Sequence, residues 1–160
     1  MNSIDDIVDY IILKVRSEDE NASLINLKLQ KLLYFIQAWS YGIHKKPIFI
    51  GDFQAWIHGP VNKIIYDRFN PTKYLYSEIY LTDILNNNVC INDDDSEFID
   101  FILENYIKYS GAELERLSHS EYPWVKTREN LNPNDRCDKI IDPSLMIKYY
   151  GEKWDAINPR

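Results

Sequence analysis

Residues 26–42 read NLKLQKLLYFIQAWSYG, and the placement of their apolar side chains decides the fold. At about 100° per residue, Leu29, Leu32, Leu33, Ile36 and Trp39 cover one broad sector of a helix, while Leu27, Tyr34, Phe35, Ala38 and Tyr41 cover the opposite one. A helix apolar on two sides needs partners on both, so this segment predicts a central helix enclosed by the rest of the chain. The remaining polar positions form two narrow stripes between the apolar sectors, Gln30 with Gln37 and Lys28 with Lys31. Enclosed polar groups must find hydrogen-bond partners. Asn26 is read as the N-cap and Gly42 as the left-handed residue that closes the C-terminus.

Upstream, Ser3 and Asp6 stand in capping-box spacing ahead of Ile4, Ile7, Val8, Ile11, Ile12 and Val15, which predicts an amphipathic first helix ending near Arg16. Residues 17–23 are then a loop. Downstream, residues 48–50 read as extended, and the alternation of Phe53, Ala55 and Ile57 against Gln54, Trp56 and His58 predicts a short strand. Gly59-Pro60 is read as its stop, with Pro60 opening a helix that carries Val61, Ile64, Ile65 and Phe69 and ends at Asn70-Pro71. In residues 72–92, Tyr74, Tyr76 and Ile79-Tyr80-Leu81 favour strand, while Thr82 to Leu85 fit a single helical turn. A further short strand is expected at Val89-Cys90-Ile91, between turns at residues 86–88 and 93–95.

Helical spacing returns over residues 96–109, with Phe98, Ile99, Ile102, Leu103, Tyr106 and Ile107 on the buried face. Ser110 and Glu113 form a capping box for a new helix, Pro123 suits the start of a short one to about Asn130, and Asp142-Pro143 opens the last, expected to end at Tyr150 with Gly151 behind it. The fold class is therefore mainly α: a single-domain helical bundle around the central buried helix 26–42, with a small two- or three-stranded β element. The domain is expected to span residues 1–151, leaving 152–160 as a polar tail.

The 160 residues suffice for one domain with a sizeable core, and 45% apolar with 14% aromatic composition suits a globular protein. No apolar run approaches the ~20 residues of a membrane span. The first ten residues carry acids where a signal peptide needs basic residues, so a cytoplasmic location is expected. Cys90 and Cys137 lack paired spacing, which argues against a disulfide framework or a zinc site. The net charge of −7 repels polyanions and disfavours nucleic acid as a partner.

Three ordered segments, KLQKLLY at 28–34, AWIHGPV at 55–61 and LSHSEYPW at 117–124, resemble the Panacea-domain family, the SocA-like antitoxins also described as phage-associated GepA-like proteins. The resemblance covers roughly residues 4–150. It implies a mainly helical domain that neutralises a toxin encoded beside it, by direct binding or by delivery to a protease, so the implied partners are a cognate protein toxin and a protease or chaperone. Two positions depart from the family pattern: Gln54 stands where Glu often precedes Ala-Trp, and His58 where Tyr is common.

Candidate binding residues are Gln30, Lys31, Trp56, His58, Gly59, Pro60, His119 and Trp124. Each has a plainer reading. Trp56 with Gly59-Pro60 suits ordinary fold-defining packing, Lys31 can snorkel to solvent, and His119 can cap local backbone. Asp93 to Asp95 lack the spacing and closing glutamate of a calcium loop. No catalytic residue, metal ligand or cofactor is expected. An enzyme would need His58 or His119 with Ser118, Ser120 or Cys137, and no G-x-S-x-G, H-E-x-x-H or phosphate loop fixes such a geometry. A DNA-binding autoregulator is the third class, opposed by the acidic balance and the absence of a basic helix-turn-helix.

Overall fold

The computed structural model describes residues 1–70 and 72–159. In chain order the elements are α1 (Ile4–Glu18), α2 (Asn26–His44), β1 (Gln54–Trp56), β2 (Gly59–Val61), α3 (Lys63–Phe69), α4 (Asp93–Tyr106), α5 (Gly111–Ser120), α6 (Tyr122–Thr127) and α7 (Pro143–Ile157). The mainly α class holds, with one antiparallel hairpin between β1 and β2. No helix is long and apolar enough to cross a membrane among the described residues.

The central helix is enclosed as its two apolar sectors require. Leu29, Leu32, Leu33, Phe35 and Ile36 are fully buried, and α2 packs most extensively on α7 and also on α5, α4, α1 and β2. Phe35 stacks on Tyr106 of α4 at 4.2 Å, and Trp39 meets Tyr150 of α7 edge-on at 5.1 Å. Glu121, buried at the start of α6, accepts hydrogen bonds from Tyr150 Oη at 2.7 Å and from Lys153 Nζ at 3.1 Å, which ties α7 to that corner.

Both expected ends of α2 are different in the structure. Asn26 is the first helical residue rather than the cap, because backbone carbonyls take over capping: Asn26 N–H donates to Ser77 O at 2.9 Å and Leu27 N–H to Leu75 O at 2.7 Å. The Asn26 side chain is buried with neither polar atom hydrogen-bonded. Gly42 lies within the helix, which closes instead on Lys45 in the left-handed conformation, φ 58°. Glycine is needed at 42 for a different reason. A Cβ there would lie 2.5 Å from Tyr150 Cβ and 2.7 Å from its carbonyl carbon, so Gly42 is where α2 and α7 touch.

Residues 72–92 contain no strand among the described residues; an isolated bridge from Glu78 to Ile25 and one 3-10 turn at Leu81–Asp83 are the regular features. Side chains of α1 occupy the backbone groups a strand partner would have used. The buried Asp9 carboxylate accepts from Leu85 N–H at 3.1 Å and Asn86 N–H at 3.0 Å, and the buried Arg16 donates through Nε to Ile79 O at 3.2 Å. Arg68 of α3 joins this network through Asp5 at 3.1 Å and Asp9. Val89-Cys90-Ile91 likewise forms no strand, and Asp93 to Asp95 form the first turn of α4 rather than a loop, with the Asn92 side chain accepting from Asp95 N–H at 2.9 Å.

Elsewhere the helix starts stand and two helices run further than expected. Ser3 is the N-cap of α1 but makes no side-chain cap bond, and the helix continues past Arg16 to Glu18. The Ser110–Glu113 capping box, Pro123 in the first turn of α6 and the Asp142 cap before Pro143 are present. α7 runs through Gly151 to Ile157, so most of the expected polar tail is helical, and Trp154 packs against the core. Pro71, read as part of the stop after α3, lies outside the described residues.

Replacing Gly42 by Ala should destabilise the protein by about 1–3 kcal/mol in urea unfolding, although Ala is the better helix former, because overpacking outweighs propensity here. Unchanged or increased stability would show that α2 and α7 are not in backbone contact at this point.

A hairpin face carried by the central helix

The polar stripes of α2 reach the backbone around it. Gln30 works like a strand partner, accepting from Asn62 N–H at 2.9 Å and donating to Asn62 O at 3.2 Å. One heptad on, Gln37 accepts from Ile48 N–H at 3.0 Å and donates to Phe49 O at 2.8 Å. On the second stripe, Lys28 Nζ donates to Ile107 O at 2.6 Å and Lys31 Nζ to Pro60 O at 3.0 Å. The hairpin is thus seated on Gln30 and Lys31.

Its register explains Gly59 and Pro60, which the sequence reading placed at a strand stop and a helix start. Both belong to β2, with Ala55 opposite Pro60 and Trp56 opposite Gly59. Ala55 turns its own amide groups away from β2, its N–H to Lys139 O at 2.9 Å and its carbonyl to Arg128 Nη1 at 2.9 Å, so the missing N–H of Pro60 leaves no ladder bond unmade. Gly59 has φ 96°, and a Cβ there would lie 2.6 Å from Lys31 Cε and 2.8 Å from Ser118 Oγ. α3 starts only at Lys63, where the Asn62 side chain accepts from Ile65 N–H at 3.0 Å.

Above this base the aromatic residues join. Trp124 Nε1 donates to Trp56 O at 2.9 Å, His119 stacks on Trp124 at 4.1 Å, and the Arg128 guanidinium lies 5.0 Å from the Trp124 ring centre. Trp56 packs edge-on against Tyr66 at 4.9 Å and donates through Nε1 to Gln54 Oε1 at 2.7 Å, so Gln54 keeps an acceptor here without a carboxylate charge. His58 Nδ1 is 2.7 Å from Glu115 Oε1, and the His58 ring faces Tyr76. Trp56, His58, Tyr66, Lys63, Arg136 and Cys137 border a cleft of about 570 Å³.

Burial sets the charge states underneath. Lys31 is fully buried and its pKa falls to about 7 because the ammonium loses its water, an effect opposed by the negative charge of Glu115. The His119 pKa is likewise lowered by burial, against the pull of Glu115, and its Nε2 is buried without a hydrogen-bond partner. Of the serines named for an enzyme, Ser118 Oγ lies against Gly59 beside Lys31 but donates to Glu115 O at 2.9 Å, and Ser120 Oγ donates to Leu117 O at 2.7 Å, each bond within its own helix.

All eight candidate residues gather at the hairpin, in two layers. Gln30, Lys31, Gly59 and Pro60 are buried supports, so Lys31 does not snorkel. Trp56, His58, His119 and Trp124 are partly exposed. The sequence reading missed Tyr66, Tyr76 and Arg136, which no local pattern links to the AWIHGPV segment.

The fold and site define a mainly helical domain that displays an aromatic hairpin face on a buried polar base. The chain belongs to the antitoxin SocA-like, Panacea domain family, which matches residues 29–125 and so takes in all eight candidate binding residues. It is 34% identical over 129 residues to Antitoxin SocA of Caulobacter vibrioides (strain NA1000 / CB15N), covering 72% of this chain and 69% of that protein. No solved structure matches.

Because the folded pKa of Lys31 lies below its unfolded value, the unfolded chain binds the extra proton between about pH 7 and the ordinary lysine range, and stability from this residue rises with pH across that window. Wild type should therefore gain stability relative to Lys31→Met between pH 7.5 and 9.5 in urea titrations. Parallel curves would contradict the buried amine.

Proposed function

We propose that this chain neutralises a protein toxin by binding it directly, with the hairpin face as the docking surface. Family membership supports the antitoxin role. The open aromatic cleft around Trp56 is the observation that carries the surface, because binding energy concentrates in a few aromatic and long polar side chains that a partner can desolvate. Trp56 and Tyr66 brace one another, so little rotamer freedom remains to be lost on contact. The histidines fit a contact role as well, since His58 is held by Glu115 and His119 by the Trp124 ring.

With the product of the adjacent reading frame as the toxin, Trp56→Ala and Tyr66→Ala should each weaken binding by about 2–4 kcal/mol in isothermal titration calorimetry. Phe101→Ser, on the exposed side of α4, should leave it unchanged. Loss of neutralisation in a folded His58→Ala or His119→Ala variant that still binds toxin fully would instead favour an enzyme.

A further inference from the structure

The small sheet does not stop at β1. Residues 139–141 run antiparallel beside it, with Ala55 N–H donating to Lys139 O at 2.9 Å and Ile141 N–H to Phe53 O at 2.8 Å around the bridge between Gln54 and Ile140. In this pattern Gln54 and Ile140 are the non-hydrogen-bonded pair, so Ile140 turns its own N–H and C=O away from β1. Neither group finds a partner among the described residues, and neither do those of Asp138. The opposite side of the hairpin is closed, because α2 takes the Pro60 carbonyl and both backbone groups of Asn62.

The open edge is continuous with the aromatic cleft. Arg136, Cys137 and Asp138 border that cleft just before the chain pairs with β1, and Ile140 is 53% exposed. Arg136 and Lys139 are exposed and form no ion pair among the described residues, on a chain whose net charge is −7. An exposed edge with unpaired amides, flanked by cations outside any ion pair, is a template for another strand.

We propose that the toxin adds an extended segment to the outer edge of residues 138–140, extending the order β2, β1, 139–141 by one strand and placing an apolar side chain in the Trp56–Tyr66 cleft with an acidic one towards Arg136 or Lys139. This rests on the direct-binding reading above. Backbone pairing supplies the register, and the cleft and cations supply the selection for an acidic, apolar segment.

Ile140→Pro tests it, because proline removes the outward N–H and blocks a strand at that edge while the two inward ladder bonds use other residues. With the product of the adjacent reading frame as the probe, Ile140→Pro should bind at least tenfold more weakly than wild type in calorimetry, and Ile140→Ala should remain within about threefold. In hydrogen exchange, the Ile140 amide of the wild-type chain should slow at least tenfold on complex formation, a readout that stands even if the proline variant melts early. Wild-type affinity in a folded Ile140→Pro variant, equal losses in the Pro and Ala variants, or an Ile140 amide that exchanges unchanged would each overturn strand addition while leaving direct binding in place. Failure of the wild-type chain to bind would overturn both readings. A dimer of the free chain in sedimentation velocity that Ile140→Pro dissociates would assign the edge to a second copy of this chain instead.

Discussion

Gln30, Gln37, Lys28 and Lys31 project from a helix with no solvent to turn to, and they meet their hydrogen-bonding need on the backbone of three surrounding segments, Gln30 and Lys31 at residues 60–62, Gln37 at 48–49 and Lys28 at Ile107. The two glutamines pair with both an N–H and a carbonyl, as a neighbouring strand would. A neutral hydrogen bond of this kind adds only about 1 kcal/mol net, but leaving a buried partner unpaired costs about 1–3 kcal/mol, so the helix and the chain segments around it hold each other in place. The chain at residues 48–49 and at Asn62, where it leaves β2, is therefore held against the core by these side chains. α1 does the same for residues 79–86 with Asp9 and Arg16.

The candidate surface inherits its rigidity from this base. Gly59 sits so close to Lys31 and Ser118 that the turn is defined by the helix beneath it, and Trp124 and Arg128 then fix the carbonyls of Trp56 and Ala55 from the other side. Trp56 is consequently presented in one orientation against Tyr66, which limits the ordering cost of docking. Burying Lys31 lowers its pKa and costs stability near neutral pH, a strain tolerated because the amine also closes the Pro60 carbonyl.

What the sequence made legible was whatever depends on neighbours in the chain. Periodicity located α1, α2 and α4, and the Ser110–Glu113 and Asp142–Pro143 pairs marked the starts of α5 and α7 correctly. Several misreadings share one cause, a distant partner taking over a local role. Gly42 and Gly151 looked like helix ends but are packing positions between α2 and α7; Asn26 looked like a cap, but the carbonyls of residues 75 and 77 do that work. Pro60 looked like a helix start because nothing local shows that Ala55 faces away from it. The candidate residues converge as a group, yet sequence could not separate the buried Gln30 and Lys31 from the partly exposed Trp56, nor join Tyr66 and Arg136 to them across the chain.

The most direct measurement of this account is amide hydrogen exchange on the chain alone and in complex with the product of the adjacent reading frame. New protection should fall on residues 54–60 and 136–140, with the outer turns of α4 unchanged. Protection concentrated on α4, with exchange at the hairpin unaltered, would contradict it.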